Sequence, residues 1–244
     1  MLFFSKKNIL KDLIPSDHVD FHSHLLFGID DGAKTFQETL HLTKSLMNFG
    51  IKQIITTPHI MQHVWDNTSE GIIERKNEVN ALLLEEGIDI SFHAAAEYLM
   101  DDNFVQLFKK QKLLTLKENY VLVEMSYINA PIQLYDILFD LQVAGYRPVL
   151  AHPERYNFYH HNFDEYQKLK KAGCLFQLNL LSVVGYYGEN VAKTAQKLLA
   201  QGLIDFASSD THHQKHIDSF EGKVLLKDIK PLQECIANSS FFKH

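Results

Sequence analysis

Seven short, nearly continuous apolar runs alternate with helix-like stretches along this chain of 244 residues, and that rhythm limits its fold more than any other feature. The runs are His18–Leu26, Ile51–Thr57, Ile88–Ala96, Tyr120–Val123, Arg147–Ala151, Cys174–Leu180 and Leu203–Ala207. Apolar runs of this length, without polar alternation, suit parallel strands covered on both faces. The intervening stretches carry helix punctuation. Thr35 and Glu38 are spaced as a capping box, and Pro131 suits a first helical turn. Gly50, Gly87, Gly145, Gly173 and Gly202 stand where helices commonly end in a left-handed residue. The final helix is expected over roughly Phe220 to Ala237.

No Ser/Gly/Pro-rich linker divides the chain, so residues 1–244 read as one α/β domain. A closed barrel and an open sheet share this element order, and the polar residues at the strand ends discriminate between them. His22, His24, His59, Glu97, Glu124, His152, Asp210 and His212 all fall at or just past the C-terminal end of an apolar run. A barrel of parallel strands gathers such positions into one ring at its C-terminal face. An open sheet spreads them along an edge.

Imidazole and carboxylate are ligands for Mn, Fe and Zn. His22 and His24, two residues apart, share a face if their run is extended. With His59, Glu97, His152, Asp210, His212 and Asp31 of the first loop they outnumber the needs of one ion. Two or three ions are expected, with a carboxylate such as Glu97 bridging a pair. Clustered divalent ions bring a bound water's pKa down to roughly 7 and accept charge from phosphoryl oxygens. Arg155, three residues after His152, offers a planar fork for two phosphate oxygens. Competing hydrolytic chemistries lack their residues. Neither Cys174 nor Cys235 is followed by the arginine of a phosphate-binding cysteine loop, and neither a P-loop nor a G-x-S-x-G elbow occurs.

The segments Asp20-Phe21-His22-Ser23-His24, Asp30-Asp31-Gly32, Thr57-Pro58-His59, Ala96-Glu97, His152-Pro153-Glu154-Arg155 and Ser209-Asp210-Thr211-His212 resemble the signatures of the polymerase-and-histidinol-phosphatase (PHP) superfamily. They are most similar to its bacterial manganese-dependent protein tyrosine phosphatases of capsule and exopolysaccharide operons. The resemblance implies a distorted (β/α)7 barrel, TIM-like, with three divalent ions, Mn first and Fe, Zn or Mg as substitutes. His22, His24, Glu97 and Asp210 would hold one ion, Glu97 and His152 a second, and Asp31, His59 and His212 a third. Arg155 would grip the phosphate while a metal-bridging hydroxide attacks phosphorus in line. The implied partner is the phosphotyrosine tail of a bacterial tyrosine autokinase. One departure stands out: relatives carry a second arginine shortly after the Asp-x-His segment, where this chain has Lys215 and His216.

Composition narrows the partners. A formal net charge of −6 does not suit a general nucleic-acid surface. No apolar run approaches the length that crosses a bilayer, and Met1–Lys7 makes a poor signal peptide. Two cysteines make no disulfide framework, which fits a reducing cytoplasm. A homo-oligomer is compatible with the sequence. Two rival functions are a small-molecule phosphatase of the histidinol-phosphate type and a non-catalytic phosphotyrosine-binding regulator. Glu124 reads as a support behind the ligands. His63 and Trp65 read as candidates for the mouth, and Tyr186-Tyr187 as an ordinary loop.

Overall fold

The computed structural model describes residues 8–244; the reading of Met1–Lys7 lies outside them. All strand ladders are parallel. In chain order the elements are β1 (His18–Asp20), α1 (Phe36–Asn48), β2 (Ile51–Thr56), β3 (His59–Ile60), α2 (Ser69–Glu85), β4 (Ser91–Ala94), β5 (Glu97–Leu99), α3 (Asp102–Lys110), β6 (Tyr120–Glu124), α4 (Leu134–Val143), β7 (Arg147–Ala151), α5 (Asp164–Lys171), β8 (Leu175–Asn179), α6 (Glu189–Ala200), β9 (Phe206–Ser208), α7 (Gln214–Ser219) and α8 (Lys230–Asn238).

Two of the seven expected strands are interrupted. Thr57-Pro58 separates β2 from β3, and Ala95-Ala96 separates β4 from β5. Pro58 has no N–H to give to a ladder, and its carbonyl instead accepts from Glu97 N–H at 3.1 Å. The ladders therefore form two groups, β1-β2-β4 and β3-β5-β6-β7-β8-β9, which meet at these breaks. Counting each broken strand once restores seven positions.

The first and last positions meet without a regular ladder. Asp210 N–H donates to the His22 carbonyl at 2.7 Å and His24 N–H to the Thr211 carbonyl at 2.8 Å. Beneath them buried Asp20 accepts from Ser208 Oγ at 2.6 Å, Ser209 N–H at 2.8 Å and Ser209 Oγ at 2.8 Å. A buried carboxylate with this many donors is satisfied, and it ties the two ends of the chain's strand order together.

The interior is apolar at its base. Val19, Phe21, Ile55, Ala95, Leu122, Val149 and Ala151 pack in one cluster, and Phe242 seals it with its ring 4.4 Å from that of Phe21. Residues two apart on a strand share a face. Thus Leu122 leads up to Glu124 on β6, Leu175 to Gln177 and Asn179 on β8, and Phe206 to Ser208 and Asp210 at β9. The same alternation that fills the base with hydrocarbon delivers polar side chains to the top.

The helix expected over 220–237 forms only from Lys230 to Asn238 (α8), and a separate short helix, α7, precedes the expected start. Phe220 closes α7, and α8 begins at Lys230-Pro231, where proline's fixed φ suits a first turn. Among the described residues no helix is long and apolar enough to cross a membrane.

Candidate metal centre

All eight predicted ligand residues come to one face of the barrel. His22 Nε2 lies 3.2 Å from Glu97 Oε2 and 3.1 Å from Asp210 Oδ1, and His24 Nε2 lies 3.4 Å from each of the same two oxygens. These four side chains, all buried, form one group with ligand atoms close enough to share an ion. His24, Asp31, His59 and His212 form a second group. Asp31 Oδ1 sits 3.5 Å from His59 Nε2 and 3.4 Å from His212 Nε2.

The remaining group differs from expectation. His152 Nε2 does approach Glu97 Oε1, at 3.2 Å. Yet the cluster with matched ligand atoms is His59, Glu97 and Glu124, with Glu124 Oε1 2.8 Å from His59 Nδ1. Glu124 therefore stands among the candidate ligands rather than behind them. Its place follows from the two-residue period of β6, which aims it inward above Leu122.

The imidazoles are oriented from behind. His22 donates from Nδ1 to Gln177 Oε1 at 2.8 Å, His24 from Nδ1 to Asp30 Oδ2 at 2.8 Å, and His212 from Nδ1 to the Asp210 carbonyl at 2.9 Å. In the neutral ring each of these bonds places the lone pair on Nε2, facing the cluster, the tautomer that binds metal. Gln177 and Asp30 were missed as supports in the sequence. Gln177 and Asn179, polar two apart in an apolar strand, were the available signal.

Backbone strain falls at the same place. His152 and Asp210 have φ of 37° and 52°, values that side chains other than glycine's adopt at a cost. The turn in the chain swings each side chain off its strand and into the cluster.

The donor set fits divalent cations. Among the described residues, Glu97 Oε1, Asp210 Oδ1, Glu124 Oε1 and His59 Nδ1 are buried with no partner in hydrogen-bonding geometry. Buried polar atoms are ordinarily paired; here carboxylate oxygens and imidazole nitrogens crowd one another instead, Glu124 Oε1 2.8 Å from His59 Nδ1 and Asp210 Oδ1 3.1 Å from His22 Nε2. Electrostatics agrees. Burial disfavours charge on His22, but Glu97 and Asp210 outweigh it and lift its pKa to about 10. Burial likewise opposes charge on His59, and Glu124 with Glu97 lifts it to about 9. Burial pushes Glu97 and Asp210 upward, yet His22 and neighbouring imidazoles hold both well below the carboxylate range. His152 is lowered to about 4 by burial and by Arg155, so it is neutral and free to coordinate. Carboxylates packed this way call for positive charge at their centre, which protons or metal ions can supply.

A pH dependence follows for the metal-free protein. The folded pKa of His22 and His59 exceeds the roughly 6.5 of an unfolded histidine. Their protonation therefore stabilises the fold fully below pH about 6.5, and that contribution is lost as pH rises through about 9 to 10. With chelator present, the urea midpoint should fall steadily from pH 6.5 to 10. With Mn²⁺ present it should not, because the metal replaces the protons. Equal slopes in the two conditions would contradict the electrostatic picture.

Arg155 stands at the rim. Its Nη1 donates to Asp210 Oδ2 at 2.8 Å, and its guanidinium lies 4.1 Å from the Tyr187 ring centre and 4.8 Å from that of Tyr127. Asn179 Nδ2 donates to the same Asp210 oxygen at 2.8 Å and to Tyr187 Oη at 3.0 Å. Tyr187 is therefore not an ordinary loop residue, and Tyr127 had no sequence signal at all. Neither candidate for the second cation fills that part. Lys215 is exposed. His216 is buried, accepts from His212 N–H at 3.1 Å through Nδ1, and is lowered to about 3 by burial and by His212. It is a neutral prop for the Asp210–His212 turn.

The capsular polysaccharide synthesis (CpsB/CapC) profile matches residues 18–219, most of the chain. The chain belongs to the CpsB/CapC family. It is 30% identical to the tyrosine-protein phosphatase YwqE of Bacillus subtilis over 81% of its length and 78% of that protein's. It is 28% identical to the tyrosine-protein phosphatase CpsB of Streptococcus pneumoniae over 80% of its length and 83% of that protein's. Among solved structures, one from work on YwqE and CpsB, described as metal-dependent tyrosine phosphatases, superposes with a TM-score of 0.77 at 27% identity. That match covers 91% of this chain and 86% of the other. A histidinol phosphate phosphatase from Lactococcus lactis superposes with a TM-score of 0.52 at 12% identity, covering 93% of this chain and 94% of the other. This second likeness is one of fold.

Proposed function

We propose that residues 1–244 form a single metal-dependent protein tyrosine phosphatase domain acting in capsular or exopolysaccharide synthesis. The observation that carries this reading is the meeting of His22, His24, Glu97 and Asp210 at one buried point, with Arg155 bonded to Asp210 beside it. The names borne by the family's relatives support the same activity.

In this reading three divalent ions, Mn first, are held by His22, His24, Glu97 and Asp210; by Glu97, His152 and Glu124; and by Asp31, His59 and His212. Bound there, they would lower the pKa of water to yield hydroxide near neutral pH and neutralise phosphoryl charge. Arg155 grips two phosphate oxygens through its unspent N–H groups. Tyr127 and Tyr187 hold the guanidinium flat, and Asn179 fixes the Asp210 carboxylate that anchors it. The substrate is the phosphotyrosine tail of a tyrosine autokinase, met in the cytoplasm. Buried, unpaired Cys174 and Cys235 suit that compartment.

Hydrolysis of a phosphotyrosyl peptide with Mn²⁺, with and without chelator, tests the reading. Release of phosphate that stops on metal removal and returns on metal addition is expected. Turnover that survives complete metal removal would overturn it. Tight binding of the peptide with no phosphate release would turn the reading to a regulator, and preference for histidinol phosphate would turn it to a small-molecule phosphatase.

A further inference from the structure

A cavity of about 280 Å³ opens along β3 and β5 just past His59 and Glu97, neither of which lines it. Its inner wall continues the ligand strands. Ile60 follows His59 on β3, and Tyr98 and Leu99 follow Glu97 on β5. At about 3.3 Å per residue, that wall begins within one or two residue lengths of two candidate ligands.

The walls combine rings and aliphatic side chains with the uncharged polar groups of Gln62, Asn103 and Gln106. Tyr98 and Phe104 are buried and form the floor, and half-buried Trp65 faces them from the loop after β3. Asn67 also borders the cavity, but its Nδ2 is committed to the carbonyls of Ile29 at 2.9 Å and His59 at 2.8 Å. It fixes the loop against the ligand strand and leaves recognition to the rings. Three charged groups also line it, Asp66, Asp101 and Lys110. The volume falls just under the roughly 300–1,000 Å³ of sites that enclose a whole small molecule. It suits one large side chain.

Building on the phosphatase reading, we propose that this cavity receives a large uncharged side chain, aromatic or branched aliphatic, lying one to three residues from the phosphotyrosine of a peptide substrate. An extended peptide whose phosphate sits over the cluster advances about 3.3 Å per residue, which brings a near neighbour over the opening. The two acids of the lining disfavour Glu or Asp at that position.

The test uses the metal-loaded protein with phosphotyrosyl peptides carrying Tyr, Leu, Ala, Lys or Glu at each position from three before to three after the phosphotyrosine, alongside para-nitrophenyl phosphate. At one position kcat/KM should be about tenfold higher for Tyr or Leu than for Ala, mainly through KM, and lowest for Glu. Asn103 and Gln106, exposed on α3 at the cavity, offer filling variants. Asn103→Trp and Gln106→Trp should erase the preference while hydrolysis of para-nitrophenyl phosphate stays unchanged. Uniform kcat/KM across the panel, or a preference that survives both variants, would overturn the pocket while para-nitrophenyl phosphate turnover leaves the phosphatase reading standing. Hydrolysis of neither substrate would overturn both.

Discussion

Glu97→Gln lowers kcat/KM for a phosphotyrosyl peptide by at least about a thousandfold without unfolding the protein. Glu97 is the carboxylate on which the whole cluster converges. Its Oε2 is 3.2 Å from His22 Nε2 and 3.4 Å from both His24 Nε2 and His59 Nδ1, and its Oε1 is 3.2 Å from His152 Nε2. Glutamine keeps the shape, removes the charge and turns one oxygen into a donor. A metal site's stabilisation of developing phosphoryl charge is worth several kcal/mol, and about 1.36 kcal/mol corresponds to each factor of ten in rate. The fold survives because the side chain keeps its shape and the apolar base of the barrel is untouched. Metal content should fall with activity. A variant within tenfold of wild type would remove Glu97 from its bridging role.

Arg155→Lys lowers kcat/KM by about a hundred- to a thousandfold, the cost typical of losing one fixed donor to a developing oxyanion. Charge is conserved in this change, so the loss isolates geometry. Lysine is a point charge without the planar fork, and it cannot lie beside the Tyr127 and Tyr187 rings as the planar guanidinium does. The Lys215 and His216 positions provide no substitute fork. Metal content should stay at the wild-type level, which separates this variant from Glu97→Gln. A loss smaller than fivefold would show that the phosphate is held elsewhere.

How much of this could be read from the chain depends on the range of the causes. The seven-strand order was legible because burial on both faces forces continuous apolar runs, and each run leaves its mark locally. The meeting of the candidate ligand residues was legible because strand ends in a parallel barrel come together by topology alone, whatever the details of packing. The breaks at Thr57-Pro58 and Ala95-Ala96 were hidden, since they arise from pairing between strands far apart in sequence. Tyr127 and Tyr187 were hidden for the same reason: only tertiary structure brings two loops to one guanidinium. The closeness of Glu124 to His59 was hidden because it depends on where His59 points, and β3 is paired only with β5. The later start of the last helix was partly visible in Pro231.

Anomalous scattering from crystals of the manganese-loaded protein tests most directly whether this ring of side chains is a metal centre. A strong peak bonded to His22 Nε2, His24 Nε2, Glu97 and Asp210, with further peaks beside His152 and between His59 and His212, is the expected result. Fully active crystals without anomalous density among those four residues would contradict it.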